Sequence, residues 1–510
     1  MKANHNQLAQ RREQALLGGG AERIAAHHAR GKLTARERVE LLLDQGSCIE
    51  FDMFVEHRCA DFGMAANKMP GDGVITCQGT INGRPVFLFA KDISAFHGTL
   101  SESHARKIAK IQDLALKNRA PLIGLFDSDG ARVQEGTAAL AGYGEQYRRS
   151  VAASGVIPQI SVILGPCPGA DAFSPPMTDF VFMVNDTSSM FVTGPDVVQT
   201  ITNETVTVEE LGGASVHTTQ SSVADSNYDN DVTAILQMRR LVDFLPANNL
   251  DGVPEWSSFD DWERIEPSLD TLIPEDPDQP YDIKELILKV VDEGDFFEIQ
   301  AMFASNIVTG FGRIAGRTIG IVANQPMVLA GVLDSDAARK AARFVRFCDA
   351  FGIPVVTLVD VPGFLPGTSQ EHGGLIKHGA KLLFAFSQAT VPLVTVVTRK
   401  AFGAAYTIMG SKHIGADVNY VWPTAHIGLM SAKSALAIID GCTENDPDQV
   451  AERVKKYEEC FNSSFAAAKQ GYVDDIIMPC QTRRHIAQAL AALVRKTSEQ
   501  PWRKHDNIPL

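Results

Sequence analysis

Long apolar runs are missing from this 510-residue chain. None approaches the ~18 residues a membrane span needs, so no membrane insertion is expected. The opening residues, MKANHNQLAQRREQ, are polar and lack the apolar centre of a secretory signal. Basic charge is in deficit, 47 Lys and Arg against 61 Asp and Glu for a net −14, and no basic low-complexity tract occurs. Both facts argue against general nucleic-acid binding. The eight cysteines, at 48, 59, 77, 167, 348, 442, 460 and 480, form no CxxC pair and no zinc spacing. They read as free, buried thiols of a cytoplasmic protein, with no metal expected. Walker A, GxSxG and HExxH motifs are also absent, which removes the commonest nucleotide-binding, serine-hydrolase and zinc-protease readings.

What is present is an internal repeat. Gly79-Thr-Ile-Asn-Gly-Arg84, followed by the apolar run 86–90, returns as Gly312-Arg-Ile-Ala-Gly-Arg317, followed by 319–323. The same shift (84 to 317) aligns Ala105-Arg-Lys107 with Ala338-Arg-Lys340, and the run 120–127 with 353–360. One residue further, Pro168-Gly-Ala170 meets Phe402-Gly-Ala404. Several matches in register mark two α/β domains of one design. Apolar runs at 86–90, 122–126 and 159–164, and again at 319–323, 355–361 and 393–397, predict strands covered on both faces. Helices are expected over 102–117 and 336–350. Thr34-Ala-Arg-Glu37 is a capping box that opens a further helix. The stretch 254–281, with five prolines and a single basic residue, reads as a linker. The domains expected are therefore 1–253 and 282–510.

Few residues announce chemistry. His27-His28 has no carboxylate at ligand spacing and reads as a solvated helix face, and Lys68 as a surface lysine. In both halves, however, a strand runs into a Gly/Ala-rich turn that opens a helix: 163–170 leading into Asp171, and 396–404 leading into Ala405. Unpaired N–H groups at such a turn hold a phosphate or a developing oxyanion, although small residues there also serve close helix–strand packing. Asp127-Ser-Asp-Gly130 and Asp360-Val-Pro-Gly363 end neighbouring strands at the same edge. Arg106, Lys107, Arg339, Lys340, Arg343, Lys377, Arg399 and Lys400 lie near these loops as cations for an anionic ligand or as solvated helix faces.

At these residues the chain resembles the carboxyltransferase (β) subunits of biotin-dependent acyl-CoA carboxylases, especially those acting on propionyl-CoA. The resemblance covers nearly the whole chain. Its motifs include Gly31-Lys-Leu-Thr-Ala-Arg-Glu-Arg38, Pro70-Gly-Asp-Gly73, Val192-Thr-Gly-Pro-Asp196, Arg343-Phe-Val-Arg-Phe-Cys-Asp-Ala350, Val359-Asp-Val-Pro-Gly-Phe-Leu-Pro-Gly367 and Trp422-Pro-Thr424. It implies two tandem crotonase-like (ClpP/crotonase) α/β domains in a homohexamer. It also implies a partner α subunit bearing biotin carboxylase and the biotin carrier. The activity implied is transfer of CO₂ from carboxybiotin to the α-carbon of a coenzyme A thioester. Catalysis then rests on backbone N–H groups that stabilise two enolate oxygens, while the site excludes water. By resemblance, Gly169 and Ala170 face the biotin ureido oxygen, and Ala404 and Ala405 the thioester oxygen. Thr407, Tyr143, His97, Gly130, Ala131, Gly363 and Phe364 are the implied substrate-binding residues. A decarboxylase subunit of the same fold and a non-catalytic paralogue are the alternatives.

Departures from the family pattern cluster at the site. Asp129, Ala170 and Ala404 stand where glycines are usual, and Thr407 where an Asp is usual. An alanine keeps its N–H aimed only where φ is negative. Altered acyl specificity is the expected result.

Overall fold

A computed structural model describes residues 2–439, 447–498 and 500–509. The chain divides into two compact units, Met1–Asp251 and Gly252–Leu510. Among the described residues no helix is long and apolar enough to cross a membrane.

The first unit is built on nine strands: β1 (Ile49–Phe51), β2 (Val74–Ile81), β3 (Arg84–Lys91), β4 (Leu122–Phe126), β5 (Gln159–Ile163), β6 (Pro166–Pro168), β7 (Phe180–Val184), β8 (Ser189–Phe191) and β9 (Ser226–Tyr228). Seven form one sheet in the order β1-β2-β3-β4-β5-β7-β9, and β6 pairs with β8 apart from it. β1, β2 and β3 run antiparallel, and from β3 onward the pairing is parallel. Parallel strands need cover on both faces, which is why β4, β5 and β7 are buried at every residue. The helix Glu102–Asn118 supplies part of that cover through Ile108, Ile111 and Ala115, and Ser101 caps it by accepting from the His104 N–H.

The second unit repeats the plan with β10 (Phe297–Ile299), β11 (Ile307–Ile314), β12 (Arg317–Asn324), β13 (Val355–Val361), β14 (Leu393–Phe402), β15 (Val418–Val421), β16 (His426–Gly428) and β17 (Asp475–Ile476). Its order is β10-β11-β12-β13-β14-β15-β17, with β16 on the far end of β14. β3 and β12 start and stop at the same shift of the repeat (84 to 317, 91 to 324). The repeat extends to the backbone angles. The β2–β3 hairpin turns through Asn82-Gly83 (φ +50°, +78°) and the β11–β12 hairpin through Ala315-Gly316 (φ +53°, +77°). Left-handed residues in succession are what a two-residue hairpin requires. Phe96-His97-Gly98 and Leu329-Ala330-Gly331 are left-handed at all three positions. Six of those ten residues are not glycine, so this part of the repeat cannot be seen in composition.

The capping box at Thr34 is present, opening the helix Ala35–Leu42. Segment 254–281, expected as a linker, lies within the second unit. The Trp256 N–H donates to the Gly316 carbonyl, and Leu269 and Tyr281 join that unit's core. Three cysteines, 77, 167 and 348, are buried as expected. Cys48 and Cys460 are exposed instead, Cys59 and Cys480 are half-buried, and Cys442 lies outside the described residues. Thiols were expected inside because they pack as small apolar groups, and the exposed ones stand on surface segments.

Candidate active site

In the second unit β14 runs straight into the helix Gly403–Ile408. Gly403 turns the chain with φ +63°, a conformation that L side chains rarely adopt. Ala404 and Ala405 follow in right-handed helix, and neither has positive φ. The first N–H groups of a helix have no acceptor within it, so these are free to hold an oxygen. A cavity of about 1200 Å³ opens over them. Gly363, Phe364, Phe402, Ala404 and Ala405 line one part of it and Trp422, Thr424 and Leu429 another. Thr407 stands one turn further along the same helix, half-buried, with its carbonyl accepting from Ser411 Oγ at 2.9 Å. It is not among the lining residues.

Asp360, at the end of β13, ties this edge together. Its Oδ2 accepts from Arg399 Nε at 2.9 Å and its Oδ1 from the Lys400 N–H at 3.1 Å. Arg399 in turn lies over the Tyr281 ring, 4.9 Å from the centroid. Burial raises the Asp360 carboxyl above its ordinary range, and the Arg399 charge opposes that rise. Arg399 is therefore committed to Asp360 and is not the free cation that its position in the sequence suggested.

The first unit builds the matching turn with different means. Gly169 holds φ +66°, and a side chain there would meet nothing within 4 Å. Ala170 follows without positive φ, in the 3₁₀ turn Gly169–Phe173. The Tyr147 hydroxyl donates to the Ala170 carbonyl. Gly130 (φ +94°) packs so close that a Cβ on it would lie 3.2 Å from the Pro168 carbonyl oxygen. Ala131 bridges to Leu100 beside it. His97 is exposed and reaches Asp129 through Nδ1–Oδ2 at 3.0 Å. Thus His97, Gly130, Ala131, Gly169 and Ala170 gather at one edge of this unit. Tyr143 does not join their surface. It is 1% exposed, stacked on Tyr147, with its hydroxyl buried and unpartnered.

Asp127 corresponds to Asp360, but its counter-charges come from elsewhere. At the position of Arg399 stands Gly165, where a Cβ would lie 1.8 Å from Asp127 Oδ1. At the position of Lys400 stands Pro166, which has no N–H to give. Arg38 Nη1 (2.8 Å) and Lys32 Nζ (3.0 Å) reach Asp127 instead, from the segment ahead of β1. Arg38 Nε also donates to Asp231 at 2.8 Å.

His27 joins this cluster, 3.7 Å from Asp127, and is buried rather than solvated. Burial lowers its pKa. His28 does have a carboxylate partner, Glu37, at 2.9 Å. Its partner is nine residues away because the chain folds back after the first helices, a spacing no local pattern suggests. Lys107 and Lys340 are likewise not solvated. Each buries its ammonium among backbone carbonyls, Gly71 and Val74 for the first, Gln300, Phe303 and Ile307 for the second. Burial lowers Lys107 to about 8.

Sequence reasoning also missed a buried ion pair behind the first turn: Lys91 Nζ lies 2.6 and 2.7 Å from the two Asp171 oxygens. The available signal was a lone lysine ending the apolar strand Val86-Phe-Leu-Phe-Ala-Lys91.

Comparisons with known proteins agree over the whole chain. A family profile described as the carboxyl transferase domain matches residues 26–508. The chain is 62% identical over 510 residues to the propionyl-CoA carboxylase beta chain of Cereibacter sphaeroides, covering 100% of both. It is 56% identical over 508 residues to the mitochondrial propionyl-CoA carboxylase beta chain of Homo sapiens, covering 99% of this chain and 94% of that one. A crystal structure of transcarboxylase 12S, a hexamer assembly with hydrolysed methylmalonyl-coenzyme A bound, superposes with a TM-score of 0.97 at 44% identity. That match covers 100% of this chain and 99% of the other. A single-chain, multi-domain long-chain acyl-CoA carboxylase shares the fold at a TM-score of 0.83 and 24% identity, over 96% of this chain and 50% of that one. The chain belongs to the carboxyl transferase domain family, and its fold is the crotonase-like α/β fold.

Proposed function

We propose that this chain is the carboxyltransferase subunit of a biotin-dependent acyl-CoA carboxylase. It takes the carboxyl group of carboxybiotin, carried by a partner α subunit, to the α-carbon of an acyl-CoA, with propionyl-CoA first among the substrates. The observation that carries this reading is the pair of equivalent turns, Gly169-Ala170 and Gly403-Ala404. Both have a left-handed glycine and a following alanine in a chain 62% identical to a propionyl-CoA carboxylase beta chain. The departures from glycine at 170 and 404 support retained activity, because both fall where φ is not positive and the N–H direction survives.

The first turn fits the biotin ureido oxygen: its glycine faces open space, and the only carboxylate in the turn, Asp171, is neutralised by Lys91. Biotin, when bound, supplies the carboxyl group and the oxygen on which charge develops. The chain's own part is to orient that oxygen against the N–H groups of Gly169 and Ala170. Ala404 and Ala405 offer theirs to the thioester carbonyl, where the enolate charge forms. Gly363 and Phe364 wall the cavity on that side. The two compact units, with 254–281 belonging to the second, then serve as the two carboxyltransferase domains. A homohexamer core and a cytoplasmic setting belong to the same reading.

The reverse half-reaction tests it. Purified chain receives malonyl-CoA or methylmalonyl-CoA, with and without free biotin, and carboxyl loss is followed by mass spectrometry. Biotin-dependent loss is expected. Loss that ignores biotin would make the chain a decarboxylase subunit. No loss with either thioester, alone or with the α partner, would make it a non-catalytic paralogue.

A further inference from the structure

The two units carry the same fold and the same turn, so a feature present in one and absent from the other is not demanded by folding. Lys91 closes β3, and its equivalent at the end of β12 is Asn324. Asp171 stands two residues after Gly169, and its equivalent after Gly403 is Ala405. Lys91 and Asp171 are both 0% exposed. The second unit fills the corresponding places with an amide, which binds the Gly331 carbonyl at 3.2 Å, and a methyl group.

A fully buried ion pair costs several kcal/mol of desolvation per ion, and well-packed uncharged groups commonly replace such a pair without loss of stability. The second unit is a working example of that replacement. The first unit nevertheless keeps the pair, directly behind the turn. Asp171 belongs to the 3₁₀ turn that Gly169 and Ala170 open, and Lys91 belongs to the central sheet. The Lys91 ammonium also lies 5.4 Å from the Phe126 ring centroid and 5.7 Å from that of Tyr143, so it is held from several sides.

We infer that Lys91 and Asp171 are positioning residues for the first turn: the pair anchors the Gly169-Ala170 N–H groups to the sheet and cancels a carboxylate that would otherwise oppose the charge developing there. This rests on the proposed function and adds to it that the two turns differ in kind. The biotin side has a buried ion pair directly behind its turn, and the thioester side has an amide and a methyl group at the equivalent places.

The decisive variant gives the first unit the second unit's residues, Lys91→Asn with Asp171→Ala, so that no buried charge is left alone. Lys91→Met and Lys91→Arg are the companions. Each is assayed as purified chain for biotin-dependent decarboxylation of methylmalonyl-CoA. KM for the thioester, thermal midpoint and free-biotin binding by saturation-transfer NMR are measured alongside. The double variant is expected to fold with a near-native midpoint and an unchanged thioester KM. It should lose ~100-fold in turnover, the scale of a reacting group displaced by about an ångström, and its biotin saturation-transfer signal should weaken. Lys91→Met should lose at least as much, and Lys91→Arg should recover part of it.

Turnover within about twofold of the unmodified chain would overturn the inference, as would a thioester KM that moves as far as turnover. If the double variant does not fold, the comparison passes to Lys91→Met. Wild-type biotin binding and turnover in that variant would overturn the inference, and loss of both with recovery in Lys91→Arg supports it. Absence of biotin-dependent turnover in the unmodified chain is a different failure, because it removes the proposed function itself.

Discussion

Gly169 and Gly403 stand 234 positions apart (169 to 403) and adopt the same left-handed backbone, φ +66° and +63°, each one residue ahead of an alanine that does not. The glycine requirement of each turn is thereby confined to one position. Gly169→Ala and Gly403→Ala should each cost about 1–2 kcal/mol in strain if the backbone holds. They should also cut carboxyl transfer by re-aiming the turn. Ala170→Gly and Ala404→Gly should keep the turn's geometry and most of the activity. Thermal denaturation alongside the decarboxylation assay measures both, and the idea fails if the alanine variants are as active as the native chain.

Arg399 and Asp360 give a second expectation. Arg399→Met leaves a buried carboxylate without its cation, and the loss should be about 3–5 kcal/mol. Adding Asp360→Asn should return a substantial part of it. A chemical-denaturation double-mutant cycle reads the difference, and additive losses would mean the pair is not coupled.

Acid sensitivity follows from His104. Its Nδ1 faces the Asp72 carbonyl at 3.0 Å. Burial above all, then Lys91, Arg132 and Lys107, holds its pKa well below the ordinary 6.5. Below pH 6.5 the unfolded chain takes up a proton that the folded chain refuses, so this residue's contribution to stability is lost as pH falls through that window. His104→Gln should flatten the decline in thermal midpoint as pH falls below 6.5 relative to the native chain. Parallel curves would exclude His104 as a source.

Acyl preference bears on Thr407. By resemblance it replaces an Asp in the acyl pocket, yet it stands outside the lining of the cavity over Ala404. Thr407→Asp should raise kcat/KM for propionyl-CoA over butyryl-CoA by ~10-fold, the scale of one methylene in a fitted pocket. An unchanged ratio of the two values would remove Thr407 from the pocket.

The repeat, the parallel strands and both turns were legible in the sequence because each rests on local pattern. Val355–Val361 is a continuous apolar run but for Thr357 and Asp360, and Gly-Ala after a strand needs no partner to be noticed. What pairs with Asp127 was not legible. Arg38 lies 89 residues away and Lys32 still further, and nothing in either neighbourhood marks them as partners. Lys91 and Asp171, 80 residues apart, are hidden for the same reason. His27 read as a surface residue because no carboxylate stands at ligand spacing beside it, while its burial depends on a strand end distant in sequence. Long-range electrostatics leaves no periodicity to read.

The exchange of Arg399 for Gly165 has a consequence for how the halves could be separated. The second unit carries its neutralising guanidinium on the neighbouring strand β14, so a polypeptide starting at Gly252 holds the cation that Asp360 needs. The first unit leans on a leader: cut ahead of β1, it would retain Asp127 and forfeit Lys32 and Arg38. Two domains of one ancestral pattern are thus unequal in independence. N-terminal trimming past Arg38 would injure the turn that Asp127 opens, 89 residues downstream, without touching it.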